Sequence, residues 1–213
     1  MHGVMRRLAF VVFAGLLVGG CASTSLQSAW YDSTFTGGPF KRILVVGVTG
    51  TFTDRRVFDD SFAQSLNNAG VQGIPGYQFI ENAPSASADV FNDGVTRSGA
   101  DGLLVVRLLG VDNRTNVSTT MVPAMWAAPM GGPFGNPMGS PFGPWSPSWY
   151  MVPDVQQYQV ANVEATLFDV KTRKPVWSAT TQTFNPTSVA AESPGYAKLV
   201  IGQLSARGLL ATK

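Results

Sequence analysis

The chain predicts an α/β fold, a two-layer sandwich on a mixed sheet of about five strands with about three helices, in the order β-α-β-α-β-β-β-α. Three observations carry this. Apolar runs of strand length alternate with stretches of helical period over residues 43–109. Two strand-like runs then flank a short polar turn at residues 171–174, which reads as a hairpin. A last amphipathic stretch closes the chain with Ala197, Val200, Ile201 and Leu204 on one face. Early alternation followed by a hairpin and a closing helix fits a mixed sheet layered with helices, and 213 residues suggest one domain.

Each element has its own signal. Residues 43–48 form a continuous apolar run, as a strand buried on both faces does. Asp54 is a plausible N-cap for a helix to about Ala69, with Gly70 as its stop and Phe58, Phe62, Leu66 and Ala69 on one face. Residues 77–80 read as a second strand. Ser85 or Ser87 can cap a second helix that ends at Gly99. Asp101-Gly102 opens the apolar run 103–109, which reads as another central strand. Residues 156–170 read as a strand whose alternation slips near Asn162, as at a bulge. Residues 176–184 complete the hairpin. Ser193-Pro194 reads as a cap and first helical position.

The N-terminal stretch carries an address. Arg6 and Arg7 precede an apolar run over residues 8–18, and Val18-Gly19-Gly20-Cys21 follows. The run is far shorter than the ~20 residues of a spanning helix, so residues 1–20 read as a signal peptide. The four residues resemble the lipobox of bacterial lipoproteins, with cleavage between Gly20 and Cys21. An ordinary secretory signal or a short membrane helix are the alternatives; the arginine pair lacks the rest of a twin-arginine motif. The lipobox resemblance implies a diacylglyceryl group and an N-acyl chain on Cys21, and no other cofactor. Two or more chains, at ~0.8 kcal/mol per buried methylene, would anchor the protein durably. The absence of Asp after Cys21 implies, by the sorting rule of enteric bacteria, the periplasmic face of the outer membrane. Residues 21–38, rich in Ser, Thr and Gly, then read as a flexible tether in which Trp30 and Tyr31 can dock back on the domain at 39–213.

Composition narrows the chemistry. The chain has one cysteine and one histidine, Cys21 and His2. With the first assigned to lipid and the second to the signal, the mature chain has no thiol or imidazole for Cys-His or Ser-His-Asp catalysis, or for His or Cys metal sites. Removing Arg6 and Arg7 leaves 13 basic residues (15 − 2) against 13 acidic, so nothing steers the domain to nucleic acid. A non-enzymatic envelope module is therefore expected, binding an envelope protein or itself. An oligomeric channel or secretion-pore subunit is the alternative, and a carboxylate-dependent hydrolase a third.

Residues 115–153 hold no charged side chain and all the methionines after Cys21, among many Pro and Gly. Loops of this length are functional or disordered. A partner-binding segment anchored by Trp126, Met130, Phe134, Phe142, Trp145, Trp149 and Tyr150 competes with a low-complexity insert. Prolines speak against a membrane-spanning hairpin there, and loose Met spacing without histidine against copper. Arg55 and Arg56 in a first helical turn oppose the helix dipole. They are a weak candidate anion site; the competing reading is a solvated turn in which Asp59 and Asp60 neutralise them. The strand-to-helix loop at Gly47, Gly50 and Thr51 has no lysine and no full glycine pattern for a nucleotide. Asp89 and Asp93 share one helix face in polar surroundings, so they read as solvated.

Five stretches carry a wider resemblance: Gly38-Pro39-Phe40-Lys41; the 43–48 strand with Gly47; Arg55-Arg56-Val57-Phe58-Asp59-Asp60; Gly99-Ala100-Asp101-Gly102; and Asp169-Val170-Lys171-Thr172 with Trp177. In these the chain resembles a family of small bacterial lipoproteins. In element order it is similar to the TolB amino-terminal domain and to lipoproteins of that topology, such as the curli secretion-channel subunit. The resemblance implies the α/β fold and an envelope location, and no catalytic residue.

Overall fold

The computed structural model describes residues 24–48, 50–123 and 149–211. A six-stranded mixed sheet runs in the order β1-β6-β5-β4-β2-β3. Its strands are β1 (Thr24–Tyr31), β2 (Arg42–Gly47), β3 (Gln72–Pro75), β4 (Gly102–Pro123), β5 (Trp149–Asp169) and β6 (Lys174–Phe184). The helices are α1 (Phe52–Asn68), α2 (Ala88–Ser98) and α3 (Val189–Ala206). Strands β3, β2 and β4 are parallel; β4, β5, β6 and β1 are antiparallel. Among the described residues the mixed α/β fold with three helices is as expected, with six strands in place of about five.

The sixth strand comes from the segment expected to be a tether. β1 pairs along β6 from Thr24↔Thr183 to Tyr31↔Trp177, with a register shift at Gln27 that hides its alternation from a period-two reading. Tyr31 does dock: the Arg207 guanidinium lies over its ring at 4.2 Å.

Helices α1 and α3 cover one face. Phe58, Phe62 and Leu66 of α1 and Tyr196, Ala197, Val200 and Leu204 of α3 pack on Ile43, Val45, Leu104, Val106, Ala165, Leu167 and Trp177. Over β2 and β4 the opposite face meets α2, through Val95 against Leu44, Val46 and Leu103. A strand buried on both faces can only be apolar throughout, which is the pattern of residues 43–46.

Local chemistry explains the boundaries. Thr51, rather than Asp54, caps α1: its Oγ1 accepts from Asp54 N (3.2 Å) and donates to Asp54 Oδ2 (2.7 Å). Ser87 caps α2 and Gly99 ends it in the left-handed region (φ 61°). α3 begins at its Ser188 cap, five residues before the expected Ser193, so Pro194 lies inside the helix. The second strand is Gln72–Pro75, and 77–80 begins in a 3-10 turn. Gly73 explains the shift. A Cβ there would lie 2.4 Å from the Ala63 carbonyl oxygen, so the strand needs a glycine where α1 crosses it.

The largest departure concerns β4 and β5. They continue past the sheet as a two-stranded ribbon, paired from Val111↔Ala161 to Pro123↔Trp149. The flanks of 115–153, expected to be loop, are therefore strand: 115–123 and 149–153 belong to this hairpin, and 124–148 lie outside the described residues. The expected slip near Asn162 is real, but the extra residue sits opposite, at Leu109 of β4.

Candidate functional site

The site is built at one end of the sheet, where the ribbon leaves the domain. Beyond Val111 the ribbon extends 12 residues to Pro123, about 40 Å at about 3.3 Å per residue. β6 supports β5 only as far as Val160, and β2 supports β4 only from Gly102 to Val106.

Its two faces differ. The helix-side face carries Val111 and Ala161, then Asn113, Gln159, Thr115 and Gln157, then Val117, Val155, Thr119, Pro153, Met121 and Met151. The other face carries Asp112, Arg114, Tyr158, Asn116, Gln156, Ser118, Asp154, Thr120 and Val152. The apolar outer side chains are open to solvent: Met121 is 60 % and Met151 68 % exposed. Period-two alternation places them together, because residues paired across a ladder point to one side. At its root Asp112 accepts from Asn162 Nδ2 (2.9 Å) and lies 3.9 Å from Arg114; farther out, Asp154 opposite Ser118 accepts from Gln156 Nε2 (3.0 Å).

Under the root lies an apolar groove of about 330 Å³. Leu108, Val111, Ala161 and Val163 form its floor, Phe58 and Tyr196 its inner wall, and the residues leading into α3 its rim. The Leu109 bulge makes the floor continuous. One extra residue between Leu108 and Gly110 returns Val111 to the helix side, where Leu108 already points. At the rim, Glu192 Oε1 accepts from Thr187 N and Oγ1, each at 3.1 Å. Tyr196 is only 4 % exposed, and burial pushes the pKa of its hydroxyl up, against the opposing pull of the Thr181 hydroxyl beside it. Thr183 also lines the groove, and its hydroxyl is 2.9 Å from that of Thr24. The first described residue of the chain thus stands at the groove's edge.

A polar corner at the N-terminal end of α1 holds the predicted arginines. Arg55 is buried and donates through Nη2 to the Glu81 carbonyl and through Nη1 to Asn82 Oδ1 (3.5 Å); its Nε has no partner. Arg56 lies over the rings of Phe52 (4.2 Å) and Tyr77 (4.9 Å). Asp59, fully buried, accepts from Gly47 N (2.8 Å) and Tyr77 N (3.2 Å). Burial pushes its carboxyl up to about 7, against the opposing pull of those two N–H groups and Arg55. Asp60 accepts from Tyr77 Oη at 2.9 Å. The expected solvated turn is corrected for Arg55 and Asp59, which brace α1 against β2 and the 76–82 segment. Arg55 and Arg56 are brought to one end of α1, Arg55 turned to the Glu81 carbonyl and Asn82, Arg56 to the rings of Phe52 and Tyr77.

Other expected positions sort plainly. Cys21 and Gly20 lie outside the described residues, as do Trp126, Met130, Phe134, Phe142 and Trp145. Trp149 and Tyr150 are backbone members of β5 at the ribbon's far end. Asp93 pairs with Arg97 at the surface (2.8 Å), as a solvated face does. The residues behind the family resemblance have folding roles. Asp101 accepts from Lys41 N and Arg42 N (both 2.9 Å), Asp169 from Thr172 N (3.0 Å), and a Cβ at Gly47 would press on Phe58 and Asp59. Among the described residues no three His, Cys, Asp or Glu side chains are grouped to hold a metal, and no helix is long and apolar enough to cross a membrane. Sequence reasoning did not find the groove or Tyr196, because the lining comes from α1, α3 and three strands and no single stretch displays it.

No protein-family model matches the chain, and no curated protein does. Among solved structures it is similar to the PelC dodecamer from Paraburkholderia phytofirmans, with TM-score 0.42, 14% identity, and 90% of this chain and 100% of that one covered. A single-substitution variant of that dodecamer gives TM-score 0.43 at 13% identity, covering 90% and 99%. The lipoprotein GNA1162 from Neisseria meningitidis gives TM-score 0.36 at 15% identity, covering 78% and 98%. At these scores the likeness is one of outline.

Proposed function

We propose that the protein is a lipid-anchored, non-enzymatic module of the cell envelope whose working part is the β4–β5 ribbon, presented at the membrane. One observation carries the reading: chain entry and ribbon leave the domain at the same end. Thr24 pairs with Thr183, Thr183 with Ala161, and Ala161 with Val111 at the ribbon's root. Cys21 is three residues before Thr24, so an acyl group on it lies within about 10 Å of that end. A ribbon about 40 Å long pointing the same way reaches the bilayer. With cysteine spent on lipid and no histidine after His2, the remaining carboxylates either brace the fold, as Asp59 and Asp101 do, or sit at the surface, as Asp93 does.

A second reading, an oligomeric pore subunit, is favoured by the ribbon's alternation. In its outer half, Val117, Val155, Met121 and Met151 on one side and Asn116, Gln156, Ser118, Asp154 and Thr120 on the other follow the apolar-out, polar-in pattern of a membrane barrel strand, with Thr119 and Val152 departing from it. A lone ribbon leaves two unpaired edges in hydrocarbon, so insertion would require ring closure by further copies.

The test has two parts. Cells grown with labelled palmitate are expected to label the wild-type protein, and Cys21→Ala is expected to lose both the label and membrane fractionation. Label or membrane retention in Cys21→Ala overturns the anchor. Val117→Asp with Met121→Asp, placing two charges on the apolar side, is expected to abolish partner cross-links made from membranes. Detergent-resistant rings lost in that variant would select the pore reading, and unchanged cross-links would remove the ribbon from the account.

A further inference from the structure

We infer that the groove beneath the ribbon's root is an acyl-chain site, and that its occupant is one chain of the protein's own lipid on Cys21. The inference rests on the anchor reading above and adds a binding site to it. The lining is apolar where it is deepest, with Phe58, Val106, Ala161 and Val163. Its volume of about 330 Å³ holds about eleven methylenes, each taking roughly the 30 Å³ of a liquid water. That is most of one fatty acyl chain and little of any folded partner element.

Position selects the source of the chain. The groove's edge at Thr183 is bonded to Thr24, and only Ala22 and Ser23 separate Thr24 from Cys21. On the helix side, where the groove opens, Thr24 and Leu26 share the face of β1, and Leu26 packs against the core. The covalent reach of the chain therefore keeps Cys21 within about 10 Å of the groove's edge. Tyr196 stands in the inner wall with its hydroxyl closed off from the groove, so the polar groups of the lining, such as Thr187 and Glu192, are left to the rim.

Two measurements test this. The first uses purified, unacylated Cys21→Ser protein and the fluorescent fatty acid cis-parinarate. Saturable one-to-one binding is expected. Leu108→Glu and Val111→Glu, half-exposed floor positions that the core does not need, are expected to weaken it at least about tenfold by placing charge against the chain. Absent binding, or binding indifferent to Leu108→Glu and Val111→Glu, overturns the site. The second uses wild-type protein labelled in cells with a diazirine-bearing palmitate. Cross-links from Cys21 to peptides containing Ala161 or Tyr196 of the same chain are expected. Cross-links only to lipids, to a second copy or to another protein overturn the chosen occupant. If Cys21 takes no label while parinarate still binds, the anchor falls and the groove takes a chain from elsewhere.

Discussion

Asp59 is the residue whose chemistry reaches furthest. Its folded carboxyl lies near 7, above the usual carboxylate value of about 4, so the folded state holds its proton more tightly than the unfolded chain. The stabilisation is fully present below about pH 4 and is lost as pH rises through about 7. Denaturant titrations at pH 5 and pH 8 are expected to show a loss of a few kcal/mol on going up. Asp59→Asn is expected to flatten that dependence, because the amide no longer titrates. Gly73 is the steric counterpart. Gly73→Ala forces a methyl into the Ala63 backbone at 2.4 Å, and a backbone neighbour cannot swing away. A loss of about 3 kcal/mol is expected in the same titration. The sequence displayed both residues and concealed both roles. Asp59 read as a neutraliser of Arg55 at helical spacing, whereas the fold turns its carboxyl towards the end of β2, a long-range contact that no local pattern encodes.

At the scale of elements, what could be read from the sequence follows locality. Ser87 and Gly99 bound α2 by side-chain and backbone chemistry that needs no partner, and both were readable. Thr51→Ala is expected to cost about 1 kcal/mol, the usual worth of such a cap, as measured by thermal unfolding. The start of α3 was misread because Ser193-Pro194 makes a convincing cap, while Ser188 has no such neighbour and is selected by packing of the turn before it. β1 was missed because its strand character comes from β6 alongside; Ser and Thr in a chain of weak alternation are silent until paired. The ribbon was misread as loop for the opposite reason. Absence of charge and abundance of Met and Pro mark irregular segments, and only the cross-strand ladder shows that its flanks are extended. An isolated two-stranded ribbon is marginally stable in water, and its outer residues contribute nothing to either core. Replacing residues 114–158 with an Asn-Gly turn between Asn113 and Gln159 is therefore expected to leave the thermal midpoint within about 3 °C, about the effect of half a kcal/mol. A larger fall would show that the ribbon supports the domain.

For the whole molecule, the sheet sets the orientation. The starts of α1 and α3, the end of β2, the entry at Thr24 and the ribbon's root all gather at one end, while Phe40 bridges Leu210 at the other. Pairing of β1 from its first described residue has a mechanical consequence. If Cys21 carries the proposed lipid, only Ala22 and Ser23 lie between it and a hydrogen-bonded strand, and there is no leash. A protein so anchored could not fish for a distant target. Its stand-off from the lipid surface would be fixed by its own body, and whatever it meets would have to come within a few nanometres of the bilayer, or already reside there.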